Sequence, residues 1–168
     1  MNDFQQKHAA EIEKILAKYP YDQKKSAVMP LLFLAQQQEG YIPQQSLQDI
    51  AEIVEIHPTE VASIVGFYTL YHDKPAGKYR IQVCTDLPCA LRGAEVFLGQ
   101  LCENLGINVG ETTPDGLVTV EAVMCLAACD NAPVFQVQTP DGNIYCEHQS
   151  IETAMKLIET WKNSQPKP

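Results

Sequence analysis

The chain has 168 residues, 45% of them hydrophobic and 20% charged, enough for one substantial core or two small ones. Its 12 Lys and Arg against 21 Asp and Glu give a formal net charge of -9, which argues against a nucleic-acid partner because phosphates need a basic face. The longest apolar run, residues 27–35, is too short to span a bilayer, and the start Met1-Asn2-Asp3-Phe4-Gln5 lacks the basic and apolar regions of a signal peptide. A chain in a reducing, cytoplasmic compartment with no direct membrane insertion is expected, so its six cysteines are not read as disulfides.

From Phe4 the apolar residues Ile12, Ile15, Leu16 and Tyr19 keep helical spacing until Pro20 stops the run, which predicts a first surface helix. Residues 27–38 are apolar on more than one side and close at Gly40, so they predict the central helix of this half, with Pro30 near its first turn. Ser46 with Asp49 resembles a capping box ahead of a third helix striped by Leu47, Ile50, Ala51 and Val54. Pro58 suits the first turn of a fourth helix, residues 59–68, which places Val61, Ile64, Val65 and Tyr68 on one face. Together these predict a four-helix bundle over residues 1–74. Phe67, Tyr68 and Tyr71 crowd its exit, and composition alone favours core over a docking edge for them. The histidines, His8, His57, His72 and His148, have no ligand spacing.

Residues 75–168 read differently. Tyr79, Ile81 and Val83 alternate with Arg80 and Gln82, a strand that delivers Cys84 at its end. Cys89 is expected to open a helix whose buried face runs through Ala94, Phe97, Leu98, Leu101, Cys102 and Leu105 to a cap at Gly106, making Cys102 a core thiol. A second strand with Val118 and Val120 leads to Cys125. Residues 134–139 and 143–147 predict two strands joined at Pro140-Asp141-Gly142, the second containing Cys146. Ser150 caps a last helix with Ile151, Ala154, Met155, Ile158 and Trp161. The order strand, helix, three strands, helix is that of a reduced thioredoxin-like sheet, so the fold class is α/β, with that domain preceded by the helical bundle.

Four of the six cysteines form two pairs where strands run out into loops, Cys84 with Cys89 (C-x4-C) and Cys125 with Cys129 (C-x3-C). In a 2Fe-2S cluster each iron is tetrahedral and takes two bridging sulfides and two thiolates, so two irons need two such pairs. Zinc also accepts four thiolates, but its structural sites favour tighter C-x2-C knuckles. A redox dithiol would want C-x2-C at a helix start, and the sequence has none. Four unliganded core thiols would not gather beside Asp86, Asp130 and Asn131. A zinc-stabilised adaptor stays open as the alternative from another class.

The stretches Gln38-Glu39-Gly40-Tyr41-Ile42-Pro43, Val65-Gly66-Phe67-Tyr68-Thr69, residues 83–92, Gly110-Glu111-Thr112-Thr113-Pro114-Asp115-Gly116 and residues 125–133 resemble one family. It is the NuoE-type thioredoxin-like 2Fe-2S subunit of the NADH-dehydrogenase module of respiratory complex I, NADH:quinone oxidoreductase. The resemblance covers nearly the whole chain. It implies that Cys84, Cys89, Cys125 and Cys129 ligate one 2Fe-2S cluster. It also implies a flavoprotein partner carrying FMN and NADH, with which the cluster exchanges single electrons inside a larger respiratory complex peripheral to the inner membrane. The chain is not expected to be catalytic alone, having no G-x-G-x-x-G after a strand with which to bind NADH. Related diaphorase modules of NAD-linked hydrogenases and formate dehydrogenases would use an equivalent chain.

Ala127 stands where the family often has glycine, and its methyl group is tolerated if the backbone there keeps a negative φ. The thioredoxin analogy makes Pro133 a candidate cis-proline, although trans remains the expected isomer. Finally, no Lys or Arg lies between Arg92 and Lys156, an interval holding Glu95, Glu103, Glu111, Asp115, Glu121, Asp130, Asp141, Glu147 and Glu152, so this half is strongly acidic.

Overall fold

The computed structural model describes residues 2–139 and 142–164. The chain divides into two compact units, Met1–Pro75 and Ala76–Pro168.

The first unit is helical: α1 (Asp3–Lys7), α2 (Ala9–Leu16), a 3-10 segment (Tyr21–Ala27), α3 (Val28–Glu39), α4 (Gln44–Val54) and α5 (Pro58–Phe67). The single first helix expected from the periodicity is two short ones, because His8 leaves helical dihedrals (φ -122°, ψ 28°) and tilts its ring over Phe4, 5.0 Å away. α3 is the centre, with Val28, Leu31, Leu32, Leu34 and Ala35 buried on several sides. It ends as expected at Gly40, whose φ of +75° lets its N-H reach Gln36 O at 2.8 Å. α4 starts two residues before Ser46, straight after the extended Pro43, so Ser46 and Asp49 are not its cap. Asp49 is instead buried and accepts from Gln45 Nε2 at 3.0 Å. His57 caps α5, accepting from the Thr59 N-H at 3.2 Å, with Pro58 in the first turn.

The aromatic exit departs from the core reading. Phe67 is 77% exposed and Tyr68 42%, whereas Tyr71 alone packs inward and donates its hydroxyl to Met29 O at 2.9 Å. Helical spacing identifies a shared face but not whether another element covers it.

The second unit contains β1 (Tyr79–Cys84), α6 (Leu87–Leu91), α7 (Ala94–Leu105), β2 (Val118–Val123), β3 (Phe135–Thr139), β4 (Gly142–Cys146) and α8 (Ile151–Asn163). The sheet order is β2-β1-β3-β4, with β1 parallel to β2 and antiparallel to β3, and β3 antiparallel to β4. A parallel pair needs a crossover, and α6 with α7 supplies it. One sheet face, with Ile81, Val83, Val118, Val120, Phe135 and Val137, packs with Phe97, Leu98 and Leu101 of α7 and Ala154, Ile158 and Trp161 of α8. Trp161 stacks on Tyr79 at 4.2 Å and 8°. Ser150 caps α8 as expected, and Gly106 closes α7 with φ +68°.

The long helix expected from Cys89 onward is broken. α6 ends at Leu91 and α7 begins at Ala94, because Gly93 sits at φ +90°, which a helix interior does not accept. Cys89 therefore lies within a short helix of its own. Of the turn expected at Pro140-Asp141-Gly142, Pro140 and Asp141 lie outside the described residues. Cys146 ends β4 opposite Phe135. No helix among the described residues is long and apolar enough to cross a membrane.

Candidate metal centre

Two parallel strands run to the same end of the sheet and bring both cysteine pairs there. β1 pairs with β2 in the register Tyr79↔Val118 through Cys84↔Val123, so Cys84 ends one strand as Val123 ends its neighbour, two residues before Cys125. The exit from β1 is fastened on both sides: the Cys84 N-H donates to Val134 O at 3.1 Å and the Thr85 N-H to Val123 O at 2.9 Å. Asp86, extended at φ -61° and ψ 157°, then turns the chain into α6, where Pro88 stiffens the first turn and Cys89 points inward.

The second loop is tighter. Ala127 adopts φ +58°, contrary to the negative value on which tolerance of its methyl was expected to depend, and its N-H donates to Cys125 Sγ at 3.3 Å. Cys129 opens a 3-10 turn, Cys129–Asn131, and the Asn131 N-H donates to Ala128 O at 3.0 Å. The Ala132–Pro133 bond is cis, not the expected trans. Beyond it, His148 N-H reaches Asn131 O at 2.7 Å and Gln149 N-H reaches Pro133 O at 2.9 Å, tying the loop to the segment after β4.

Cys84 and Cys89 are wholly buried in a small apolar cluster with Ala94, Ala128, Ala132 and Val134, against which Leu126 and Cys129 pack. Cys125 is exposed. The four thiols form a linked set. Burial, followed by a hydrogen bond with Cys84 and the nearby Cys84 and Cys129 sulfurs, pushes the Cys89 thiol up to about 12. Burial and then Cys125 likewise raise Cys129. Among the described residues no three His, Cys, Asp or Glu side chains converge to hold a metal ion. Cys89 faces both Cys84 and Cys129, and Cys129 faces Cys125 as well, so the two loops present four sulfurs to one place, the donor set that two tetrahedral irons sharing sulfides take up. Cys102 and Cys146 stand apart, packed with the sheet core and raised only by burial.

The geometry also shows what residue spacing did not: Leu87, Leu91 and Met124 are exposed beside the candidate loops, and Ala127 is held in a glycine-like conformation. The family's frequent glycine at that position was the available signal for the second.

The profile of the thioredoxin-like 2Fe-2S ferredoxin family matches residues 12–162. The chain belongs to that family. Its cofactor is a 2Fe-2S cluster, and its kind is the NuoE type found in NADH-quinone oxidoreductases. Subunit 2 of the NADH-quinone oxidoreductase of Thermus thermophilus is 48% identical over 126 residues, covering 75% of this chain and 70% of that protein. The second E-type chain of the NADH-quinone oxidoreductase of Rhizobium meliloti is 43% identical over 154 residues, covering 90% and 87%. Among solved structures, an NAD+-reducing NiFe-hydrogenase in its H2-reduced state superposes with a TM-score of 0.67 at 21% identity. The match covers 81% of this chain and 22% of that one, and it speaks for the fold.

Proposed function

We propose that Cys84, Cys89, Cys125 and Cys129 hold the 2Fe-2S cluster and that the chain is a one-electron relay serving the FMN of an NADH-oxidising flavoprotein partner in NADH:quinone oxidoreductase. The observation that carries the ligand reading is the meeting of these four thiols at one end of the sheet, drawn from two loops, with the other two cysteines left in the core. When bound, the cluster supplies a site that takes up and gives back single electrons.

The residues of the chain have separate tasks in this reading. Cys84 and Cys89, wholly buried, would hold one side of the group away from water. Cys125, exposed, would hold the side from which electrons pass to and from a partner. Exposed Leu87, Leu91 and Met124 would form the apolar rim that such a partner covers. The chain is read as a helical domain through residue 74 and a cluster-bearing domain from residue 75. It would lie on the cytoplasmic side, peripheral to the inner membrane through its complex and not catalytic by itself.

The test is reduction by NADH. The cluster-loaded chain alone should not be reduced by NADH, and adding the FMN-bearing subunit from the same organism should reduce it. Identification of the proteins that copurify with the chain from native membranes separates complex I from a hydrogenase or formate dehydrogenase module. A flavoprotein that binds the chain yet leaves its cluster oxidised would contradict the proposal.

A further inference from the structure

The Cys125–Cys129 loop contains a backbone conformation that its sequence does not favour. Ala127 sits at φ +58°, where the Cβ of an L-residue crowds the following carbonyl and where glycine is the usual occupant. Its methyl group is exposed, so packing of that side chain is not what holds it there. On one side of it is Leu126, packed against the apolar cluster, and on the other is Ala128, buried within it. The left-handed turn between them points the Ala127 N-H at Cys125 Sγ, 3.3 Å away.

We infer that Ala127 is a positioning residue: its left-handed backbone aims its own amide at the Cys125 sulfur and so raises the reduction potential of the cluster. This rests on the reading that Cys125 is a ligand. An electron added to the cluster increases the negative charge on its thiolates, and an N-H fixed on one of them stabilises that charge. Cys125 is the exposed member of the four, where water would otherwise compete as donor. A fixed amide needs no rearrangement when the electron arrives.

With Leu126 and Ala128 anchored in the apolar cluster, φ of residue 127 can change only by turning the 126–127 peptide plane, so side-chain choice at residue 127 controls this amide. Glycine adopts the left-handed conformation freely and asparagine tolerates it, while a β-branched residue strongly resists it. Ala127→Val should swing the N-H away from sulfur, whereas Ala127→Gly and Ala127→Asn should keep it.

The full chain of each variant, loaded with iron and sulfide, would be titrated potentiometrically with the electron paramagnetic resonance of the reduced cluster as readout. Ala127→Val should shift the midpoint to more negative potential and alter the g-values, with Ala127→Gly and Ala127→Asn close to the parent. Should Ala127→Val fail to take up the cluster, protein grown with 15N-alanine decides instead. The reduced parent should show a 15N hyperfine coupling that is missing from Ala127→Gly. A parent-like potential in Ala127→Val, or identical 15N couplings in parent and Ala127→Gly, would overturn the inference. Cys125→Ser separates the two levels: if it leaves the spectrum unchanged, the ligand reading itself has failed.

Discussion

The Arg80 guanidinium on β1 donates to the Glu121 carboxylate on β2, an ion pair tying together the two parallel strands that end at the candidate loops. The other carboxylate oxygen accepts from Gln82 Nε2 at 3.1 Å, and Gln82 Oε1 in turn accepts from Gln136 Nε2 on β3 at 2.6 Å. The network crosses the sheet on the face opposite α7 and α8, and Arg80, Gln82 and Gln136 are all buried. Removing the half-buried Glu121 leaves the buried Arg80 charge uncompensated. Glu121→Ala should therefore cost about 3 kcal/mol. The double variant Arg80→Met with Glu121→Leu should cost less than the two single changes added together. Denaturant titration of the parent, Glu121→Ala, Arg80→Met, Glu121→Leu and the double variant checks both statements, and a simple sum would show that the pair is not coupled.

The thiols should separate into two classes. Serine at Cys84, Cys89, Cys125 or Cys129 should abolish or distort the visible and paramagnetic spectra of the cluster. Cys102→Ser and Cys146→Ser should leave those spectra intact, and at the buried Cys102 the cost should be about 1–2 kcal/mol of stability. Loss of the cluster in Cys102→Ser alone would show that the ligand set is wrong.

Removing the metal should make the protein sensitive to alkali. Burial beside Cys84 and Cys129 pushes Cys89 up to about 12, and Cys129 is raised for the same kind of reason. A thiol whose folded pKa lies above its unfolded value binds its proton more tightly in the folded state. That stability is fully present below the unfolded pKa and is lost as pH rises through the folded one. The metal-free chain should thus lose stability from about pH 8.5 upward, with a shallower decline in Cys89→Ala. Cluster loading, which must release these protons, should become more favourable over the same range. A metal-free protein equally stable at both ends of that range would contradict this account of the pocket.

Two glycines should respond in opposite directions. A Cβ on Gly77 would lie 2.8 Å from the backbone carbon of Leu117 and the nitrogen of Val118, where the Gly77 N-H already donates to Thr119 Oγ1 at 2.7 Å. Gly77→Ala should cost about 2–3 kcal/mol, since backbone atoms of β2 would have to move. Gly99 lies within α7 with open space around it, so Gly99→Ala should gain about 0.5–1 kcal/mol. Thermal midpoints of the two variants on either side of the parent are the expected result.

Much of the fold was legible because local chemistry and tertiary structure agree. Alternation in residues 79–83 and the capping residues Gly40, Gly106 and Ser150 mark real element ends. Cys84 at the end of β1 and Cys125 two residues past β2 stand at strand exits, where the sequence pattern places them. Where the reading failed, the deciding contact was distant or conformational. Gly93 breaks a pattern that periodicity carries through it, and the Ser46–Asp49 spacing mimics a cap although Pro43 has already set the start of α4. Tyr68 continues the helical spacing of core residues, yet it is the extended residue that ends α5, and it and Phe67 stay exposed, edge to face with each other at 5.1 Å. Ala127 is left-handed between the packed Leu126 and the buried Ala128, a conformation that no property of alanine announces.

That these four thiols hold two irons is tested most directly by metal analysis. Protein purified anaerobically after native expression should contain two irons and two acid-labile sulfides per chain, as two pairs of thiolates require. It should be silent in paramagnetic resonance when oxidised and give a signal after one-electron reduction. One zinc per chain, with no sulfide and no signal on reduction, would contradict it.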